Sequence, residues 1–347
     1  MSVRVTGIGT CVPSGVLEQG ATASTAARLA GRPEKEAVVR KLFERSGVSE
    51  RRSVLADAQG SLPFFEQGHV PTTGERMSAY TREAPALTHG ACAQALADAG
   101  VHAGDVTHLV VVSCTGFESP GVDLAAIESL GLRPTVRRTI VGMMGCHGAI
   151  NGLAAARAFA AESADHVVLM VCVELCTLHF CASVEHGAMV ANARFGDGAA
   201  ACVGAQGERG RELASCSSVV VPGTASDMGW VGGDNGFEMT LASGVPSKLA
   251  ERTPAWIDGW LAEHGLTREG VAGWAVHPGG PRVLDEVGEA LALPDGALDV
   301  SREVLRTRGN MSSGTVLFIL ERMRAAEGPV AVLAFGPGLC AEGALLR

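Results

Sequence analysis

The feature that most constrains the fold is the stretch 138–161, where a short apolar run leads to Gly145 and Cys146 and an alanine-rich segment follows. A helix that is apolar on all sides is buried in the core of a large domain. The stretch therefore predicts a central helix that begins just after Cys146. The N–H groups and the dipole at a helix N-terminus favour negative charge and lower the pKa of a thiol. We interpret Cys146 as a nucleophile, although a small buried cysteine without a chemical role fits the same pattern.

Strand-like runs alternate with helical runs along the chain, which predicts an α/β fold with helices packed against central sheets. The predicted strands are 108–114, 167–173, 199–203, 273–276 and 330–335, and the predicted helices are 78–99, 121–130, 149–162, 281–291 and 311–326. A glycine-rich stretch at 228–237 predicts a surface loop or hairpin. A second one at 204–210 predicts a boundary between an N-terminal half, residues 1–207, and a C-terminal half, residues 208–347.

Composition excludes several classes of function. The net charge of −9 provides no basic surface for nucleic acid or for an anionic membrane. The N-terminus predicts a first strand, since it lacks the apolar region of a signal peptide. Ten cysteines without such a signal indicate reduced thiols and a cytoplasmic protein, and the alanine, glycine and arginine content is typical of a bacterial one. Cys172, Cys176 and Cys181 do not have zinc-ligand spacing, so we predict no metal.

Two later positions complete a possible site with Cys146. His277 follows the predicted strand 273–276, at the kind of carboxyl end where α/β sheets place ligands. Asn310 precedes an apolar helix, where asparagine is by itself a common N-cap. A thiol needs a base or a cationic partner, which His277 can supply, and Asn310 can donate hydrogen bonds to an oxyanion. The set favours chemistry in which negative charge develops on a carbonyl oxygen.

The segment 34–52 is basic in an otherwise acidic chain. We predict a helix there, which carries Lys41 and Arg45 and extends to Arg51 and Arg52. Such a helix can be an ordinary solvated surface. It can also bind a ligand that carries phosphates.

Five motifs in order carry a family resemblance: Gly145-Cys146-His-Gly-Ala, Phe195-Gly-Asp-Gly-Ala, His277-Pro-Gly-Gly-Pro, Gly309-Asn310-Met-Ser-Ser and Phe335-Gly-Pro-Gly-Leu. Together they resemble the type III polyketide synthases of the chalcone-synthase-like superfamily. The resemblance implies the thiolase fold, with two similar halves in αβαβα layers, and a homodimer. It also implies that a starter acyl-CoA is extended with malonyl-CoA by decarboxylative condensation, without a cofactor.

The resemblance further implies roles for individual residues. Cys146 matches the acyl-accepting nucleophile, His277 the residue that keeps it ionised and stabilises the enolate, and Asn310 the residue that orients decarboxylation. Phe195 matches a gatekeeper phenylalanine, and Met239 stands at the second gatekeeper position, where flexible methionine indicates an aliphatic starter. The remaining matched positions are His179, Cys176, Ser119 and Ser312 in the substrate cavity, Gly336 and Gly338 in its backbone wall, and Lys41 and Arg45 at the coenzyme A phosphates. Asp197, between two glycines, fits a structural turn.

Three alternatives use similar residues. A ketoacyl synthase III-like enzyme, which performs a single condensation or an acyl transfer, also has cysteine, histidine and asparagine. A papain-like hydrolase has the same chain order, but Cys146 lies in a buried, glycine- and alanine-rich segment. A thiolase needs a second active cysteine, and Cys340 follows a different motif.

Overall fold

The structure is a computed structural model that describes residues 2–65 and 69–347. Its strands are β1 (Val3–Cys11), β2 (Val16–Glu18), β3 (Glu50–Arg52), β4 (His108–Ser113), β5 (Arg137–Gly142), β6 (Val167–Leu175), β7 (Asp197–Gln206), β8 (Arg211–Val220), β9 (Met228–Gly233), β10 (Gly236–Leu241), β11 (Gly273–Val276), β12 (Val330–Gly336) and β13 (Cys340–Leu346). Its α-helices are α1 (Gln19–Leu29), α2 (Glu36–Glu44), α3 (Thr73–Ala99), α4 (Val122–Leu130), α5 (Gly148–Ala161), α6 (His186–Arg194), α7 (Val245–Glu263), α8 (Pro281–Ala290), α9 (Asp299–Arg308) and α10 (Thr315–Arg322).

A mixed sheet connects the two halves of the chain. Its order is β11-β12-β13-β8-β1-β7-β6-β4-β5, so strands of the second half occupy one side and strands of the first half the other. β1 pairs antiparallel with both β7 and β8. The turn 207–210, where we predict the boundary between the halves, therefore connects β7 on one side of β1 to β8 on the other side, and all three strands belong to one hydrogen-bonded sheet.

Buried apolar side chains form three clusters that define the layers. The first packs α1, α3 and α4 against one face of β4, β6 and β7. The second surrounds α5 and α10 between the strands of the two halves, and the third packs α7 and α8 against the outer face of β12 and β13. Strand alternation explains the division, because Leu109 and Val111 face the first cluster while Val110 and Val112 face the second. The expected αβαβα layers are present, with α5 as a central helix.

Most predicted elements are confirmed with small shifts at their ends, and 228–237 lies in a hairpin of β9 and β10. The basic helix predicted over 34–52 is shorter than expected, because α2 ends at Glu44 and Gly47 adopts a left-handed φ of 80°. Arg51 lies on β3, is 1% exposed and donates to the carbonyl oxygens of Asn192 and Phe195, so it is a structural cation. The helix predicted over 311–326 begins only at Thr315, after a 3-10 turn.

None of the helices formed by residues 2–65 and 69–347 combines the length and the apolar character needed to cross a membrane.

Candidate active site

Cys146 lies at the end of β5 in the 3-10 turn 145–147, directly before α5. Gly145 has a φ of 75°, which favours glycine. A Cβ there would come within 2.3 Å of Pro337 Cδ. Glycine at position 145 therefore lets the nucleophile turn approach the segment after β12, as required for residues of the two halves to meet.

The backbone and side chain of Asn310 are both held in place. Asn310 N donates to Arg194 O at 2.7 Å, and Gly196 N donates to Asn310 O at 3.0 Å. The side-chain Oδ1 accepts from Ser312 N at 2.8 Å, as in a local cap. Since Oδ1 is the accepting atom, Nδ2 is the donor, and it lies 3.9 Å from Cys146 Sγ. Asn310 thus caps the turn before α10 and presents an amide donor to the thiol.

His277 follows β11, and its backbone N donates to Leu333 O at 2.8 Å. The side chain is 1% exposed, and neither ring nitrogen has a hydrogen-bond partner among the described residues. Burial lowers the pKa of His277 to about 3, and nearby His147 acts in the same direction. The imidazole is therefore neutral, with both nitrogens free for a substrate group.

The pKa of Cys146 differs from the sequence-based expectation. Burial raises it to about 11, while hydrogen bonds from Ser312 and Asn310 act in the opposite direction. The helix N-terminus does lie next to the thiol, but desolvation of the buried sulfur outweighs it. The resting thiol is therefore protonated, and a reaction through Cys146 must first move its proton.

One cavity of about 530 Å³ contains most of the predicted site residues. The predicted residues that line it are Cys146, His277, Asn310, Phe195, Met239, Cys176, Ser312, Lys41 and Arg45. Four others, His179, Ser119, Gly336 and Gly338, do not line it.

The structure places each of these four residues outside the cavity lining. His179 is buried, with Nε2 2.7 Å from Thr115 O and Nδ1 accepting from Phe237 N at 3.0 Å. Ser119 is exposed in the loop before α4. A Cβ at Gly336 would come within 2.4 Å of the His147 ring, and Gly338 has a φ of 74°. The glycines thus allow close packing beside the cavity, whose wall at that point is Phe335 and Pro337.

The wall also contains residues that sequence reasoning did not select. Arg194, which is half-buried, and Arg282, which is exposed, line the cavity next to the motifs that begin at Phe195 and His277. Cys114, the last residue of a predicted strand, also lines the cavity, and its Sγ lies 3.1 Å from Ser312 Oγ. The exposed Lys41, Arg45 and Arg282 form a cationic mouth to this cavity. Such a mouth with an apolar interior suits a ligand with phosphates at one end and an acyl chain at the other.

Asp197 has a structural role in this arrangement. Its carboxylate accepts from Val54 N at 2.9 Å, from Thr177 N at 2.8 Å and from Thr177 Oγ1 at 2.6 Å. Burial raises its pKa to about 6. These bonds fix the start of β7, two residues after Phe195.

A layered α/β fold with a cysteine, a histidine and an asparagine around one cavity is the combination that a condensing acyltransferase uses. Residues 2–207 match the family described as "Chalcone and stilbene synthases, N-terminal domain", and residues 212–347 match the corresponding C-terminal domain. The chain therefore belongs to the chalcone and stilbene synthase family and is a type III polyketide synthase. Members of this family use acyl-CoA and malonyl-CoA as substrates.

Individual relatives agree with this assignment. The chain is 36% identical to a 1,3,6,8-tetrahydroxynaphthalene synthase of Streptomyces peucetius over 90% of this chain and 84% of the relative. It is 30% identical to the α-pyrone synthesis polyketide synthase-like Pks18 of Mycobacterium tuberculosis over 98% of this chain and 90% of that protein. Among solved structures, PKS-I of the brown alga Ectocarpus siliculosus matches with a TM-score of 0.94 and 28% identity, covering 100% of this chain and 98% of that one.

Proposed function

We propose that Cys146 accepts an acyl group from a starter acyl-CoA and that His277 and Asn310 then drive its extension with malonyl-CoA. The observation that carries the proposal is the amide donor of Asn310, 3.9 Å from Cys146 Sγ in the cavity that also contains His277. Donors held in place at a water-poor site stabilise developing negative charge more strongly than donors in water.

Loading requires an ionised sulfur. The thiol proton passes to the neutral His277, and Cys146 Sγ attacks the thioester carbonyl of the starter. The C–S bond to coenzyme A breaks, and its thiolate takes the proton back from His277. The burial that raises the pKa of Cys146 makes His277 necessary for this step.

Extension begins when malonyl-CoA loses its carboxylate as carbon dioxide. The electron pair of the broken bond forms an enolate, whose oxygen accepts hydrogen bonds from Asn310 Nδ2 and from the N–H of neutral His277. The carbanion carbon attacks the Cys146 thioester, and the C–S bond to Cys146 breaks. The chain, longer by one two-carbon unit, is then a coenzyme A thioester, and the freed Cys146 sulfur can take it up again with release of coenzyme A. Repetition and ring closure give a pyrone, a resorcinol or a related polyketide.

The substrates enter through the cationic mouth. Lys41 and Arg45 are exposed there and would contact the coenzyme A phosphates, and the exposed Arg282 lines the same cavity. No further cofactor takes part in the proposed reaction, and the protein acts in the cytoplasm.

The starter is proposed to be aliphatic. Met239 lines the cavity together with Val190, Leu241 and Leu249, and these flexible or branched side chains suit an alkyl chain.

A homodimer is proposed from one exposed edge. β5 is the last strand of the sheet, and large apolar side chains on it and near it are exposed: Ile140, Met143, Met144 and Phe117. An unprotected apolar edge strand favours pairing with another strand. Ser119, in the same exposed loop as Phe117, would then face the second copy of the chain.

The experiment supplies malonyl-CoA with a panel of aliphatic and aromatic acyl-CoAs and identifies the products by mass spectrometry. We expect multiply extended products with aliphatic starters and none from Cys146→Ala. Cys216→Ala, which changes a half-buried cysteine outside the cavity, is the matched control. Extension by Cys146→Ala would refute the nucleophile, single condensations would indicate the ketoacyl synthase-like alternative, and a preference for coumaroyl-CoA would refute the aliphatic starter.

A further inference from the structure

Three potential metal ligands meet at the end of α5 that is distant from Cys146. His108 begins β4, Glu162 follows the last residue of α5, and His166 precedes β6. One ligand atom of each lies within 4.8 Å of the others, and no other such group of three occurs in residues 2–65 and 69–347. None of them lines the catalytic cavity, and α5 is about 21 Å long for its 14 residues. The cluster is therefore separate from the active site.

The hydrogen bonds of Thr107 fix the tautomer of His108. Thr107 Oγ1 donates to Val167 O at 2.9 Å and accepts from Val167 N at 3.0 Å. Its only proton is thus used, so toward His108 Nδ1, 2.9 Å away, it can only accept. His108 Nδ1 carries the ring proton, and Nε2 keeps a free lone pair.

The same reasoning applies to His166. Its Nδ1 lies 2.8 Å from Phe159 O, and a carbonyl oxygen can only accept. Nδ1 therefore carries the proton and Nε2 the lone pair. An Nδ1–H bonded to a carbonyl or hydroxyl oxygen is the outer-shell arrangement that orients metal-binding histidines. Both rings of the cluster have it.

Aromatic packing explains why the two rings lie close together, but it does not explain why both carry their proton on Nδ1. His108 stacks on Phe159 at 5.1 Å and meets His166 edge-on at 4.7 Å between ring centroids. Two imidazoles so close repel each other when both are protonated. Glu162 adds the carboxylate, whose Oε2 lies 3.9 Å from His166 Nδ1 and 3.9 Å from Nη1 of Arg137, a side chain that is 69% exposed.

We propose that His108, His166 and Glu162 bind one divalent transition-metal ion of the zinc class. Two imidazoles, one carboxylate and a solvent molecule at the partly exposed side match the ligands and the number that Zn²⁺ takes. The ion would join the C-terminal end of α5 to the starts of β4 and β6. The helix that follows the nucleophile would then be fixed at both ends.

The test titrates metal-free protein with Zn²⁺ and, in a separate experiment, with Co²⁺ as a spectroscopic probe. We expect one equivalent to bind, a rise in the melting temperature that a chelator reverses, and Co²⁺ d–d bands without the thiolate charge-transfer band that a cysteine ligand produces. His108→Gln and His166→Gln should each weaken binding at least tenfold. Arg137→Gln, which removes a competing cation, should strengthen it. His89→Gln, at an exposed histidine of α3, is the matched control and should change nothing.

Several outcomes would overturn the proposal. These are no binding at a tenfold excess of Zn²⁺, unchanged binding in both cluster variants, and a thiolate band with Co²⁺, which would place the ion on a cysteine. If either glutamine variant fails to fold, the Co²⁺ spectrum of the wild-type protein and the affinity of Arg137→Gln decide.

Discussion

Two buried histidines, one in each half of the chain, have opposite surroundings. His179, in the 3-10 turn after β6, has both ring nitrogens bonded, to Thr115 O and to Phe237 N, and stacks on the Phe237 ring at 4.3 Å. His277, after β11, has neither nitrogen bonded among the described residues. Burial lowers both pKa values, to about 4 and about 3. Burial and titration therefore do not separate the two residues, whereas hydrogen bonding does.

The difference indicates what each histidine does. A buried polar group without a partner destabilises the fold, so its presence calls for a reason outside folding. His277 opens onto the cavity that contains Cys146, where a substrate oxygen can supply the partner. His179 connects the hairpin of β9 and β10 to the first half of the chain and has no free atom to offer. We interpret His277 as a group for chemistry and His179 as a structural connection, and four variants test this contrast.

The largest effect is expected for His277→Ala. We predict a loss of polyketide formation of about 10²-fold or more, as is typical when a general acid–base group is removed. Because an unpartnered imidazole contributes little to folding, the free energy of unfolding should change by no more than about 1 kcal/mol. Steady-state rates and urea denaturation measure the two quantities. Activity within tenfold of wild type would remove the basis of the contrast.

Asn310→Ala should separate the two steps of the reaction. Without its amide, decarboxylation loses a stabilising donor, and we expect condensation to slow by about 10²-fold. Loading of Cys146 does not form that enolate, so intact-protein mass spectrometry should still show the acyl-enzyme after incubation with a starter acyl-CoA. Asn235→Ala, in the turn between β9 and β10, is the control. Loss of the acyl-enzyme would mean that Asn310 acts in loading as well.

Sequence patterns predicted the strands and helices because long periodic segments such as 108–114 and 149–162 depend on local burial. They also selected Cys146, His277 and Asn310, because each follows a strand or precedes a helix. They did not predict that Arg51 is buried and donates to Phe195 O, that α10 begins at Thr315, or that the pKa of Cys146 rises. These properties depend on contacts between residues far apart in the chain. The position of His179 behind the cavity wall depends in the same way on Phe237.

His179→Gln should change the pH dependence of stability. The folded pKa, about 4, lies below the ordinary value of 6.5, so the stabilisation is present above pH 6.5 and is lost as the pH falls toward 4. Between pH 7.5 and pH 5 the wild-type protein should lose roughly 2 kcal/mol that the variant does not lose. Urea denaturation at both pH values measures this difference.

Comparing the two proteins isolates His179, because the buried His277 and Asp197 titrate in both. Activity at pH 7.5 should stay within a few-fold of wild type. Equal pH dependence in the two proteins would show that His179 is not held neutral. A loss of activity as large as that of His277→Ala would place His179 in the chemistry.

Trp230 lines the cavity that His277 also lines and contacts the His179 ring, and its removal is expected to have the smallest effect. Its ring meets His179 edge-on at 5.4 Å and Phe195 at 5.8 Å, and its Nε1 donates to Cys114 O at 2.8 Å. In Trp230→Gly the cavity should extend toward His179 and accept longer acyl chains. We expect the ratio of kcat/KM for long over short acyl-CoA starters to rise several-fold, about 1 kcal/mol of discrimination. The control, Val231→Gly, also introduces a glycine into β9, but at a side chain that is 61% exposed. It should leave the ratio unchanged. An unchanged ratio in Trp230→Gly would mean that His179 and Phe237 close the cavity without the indole.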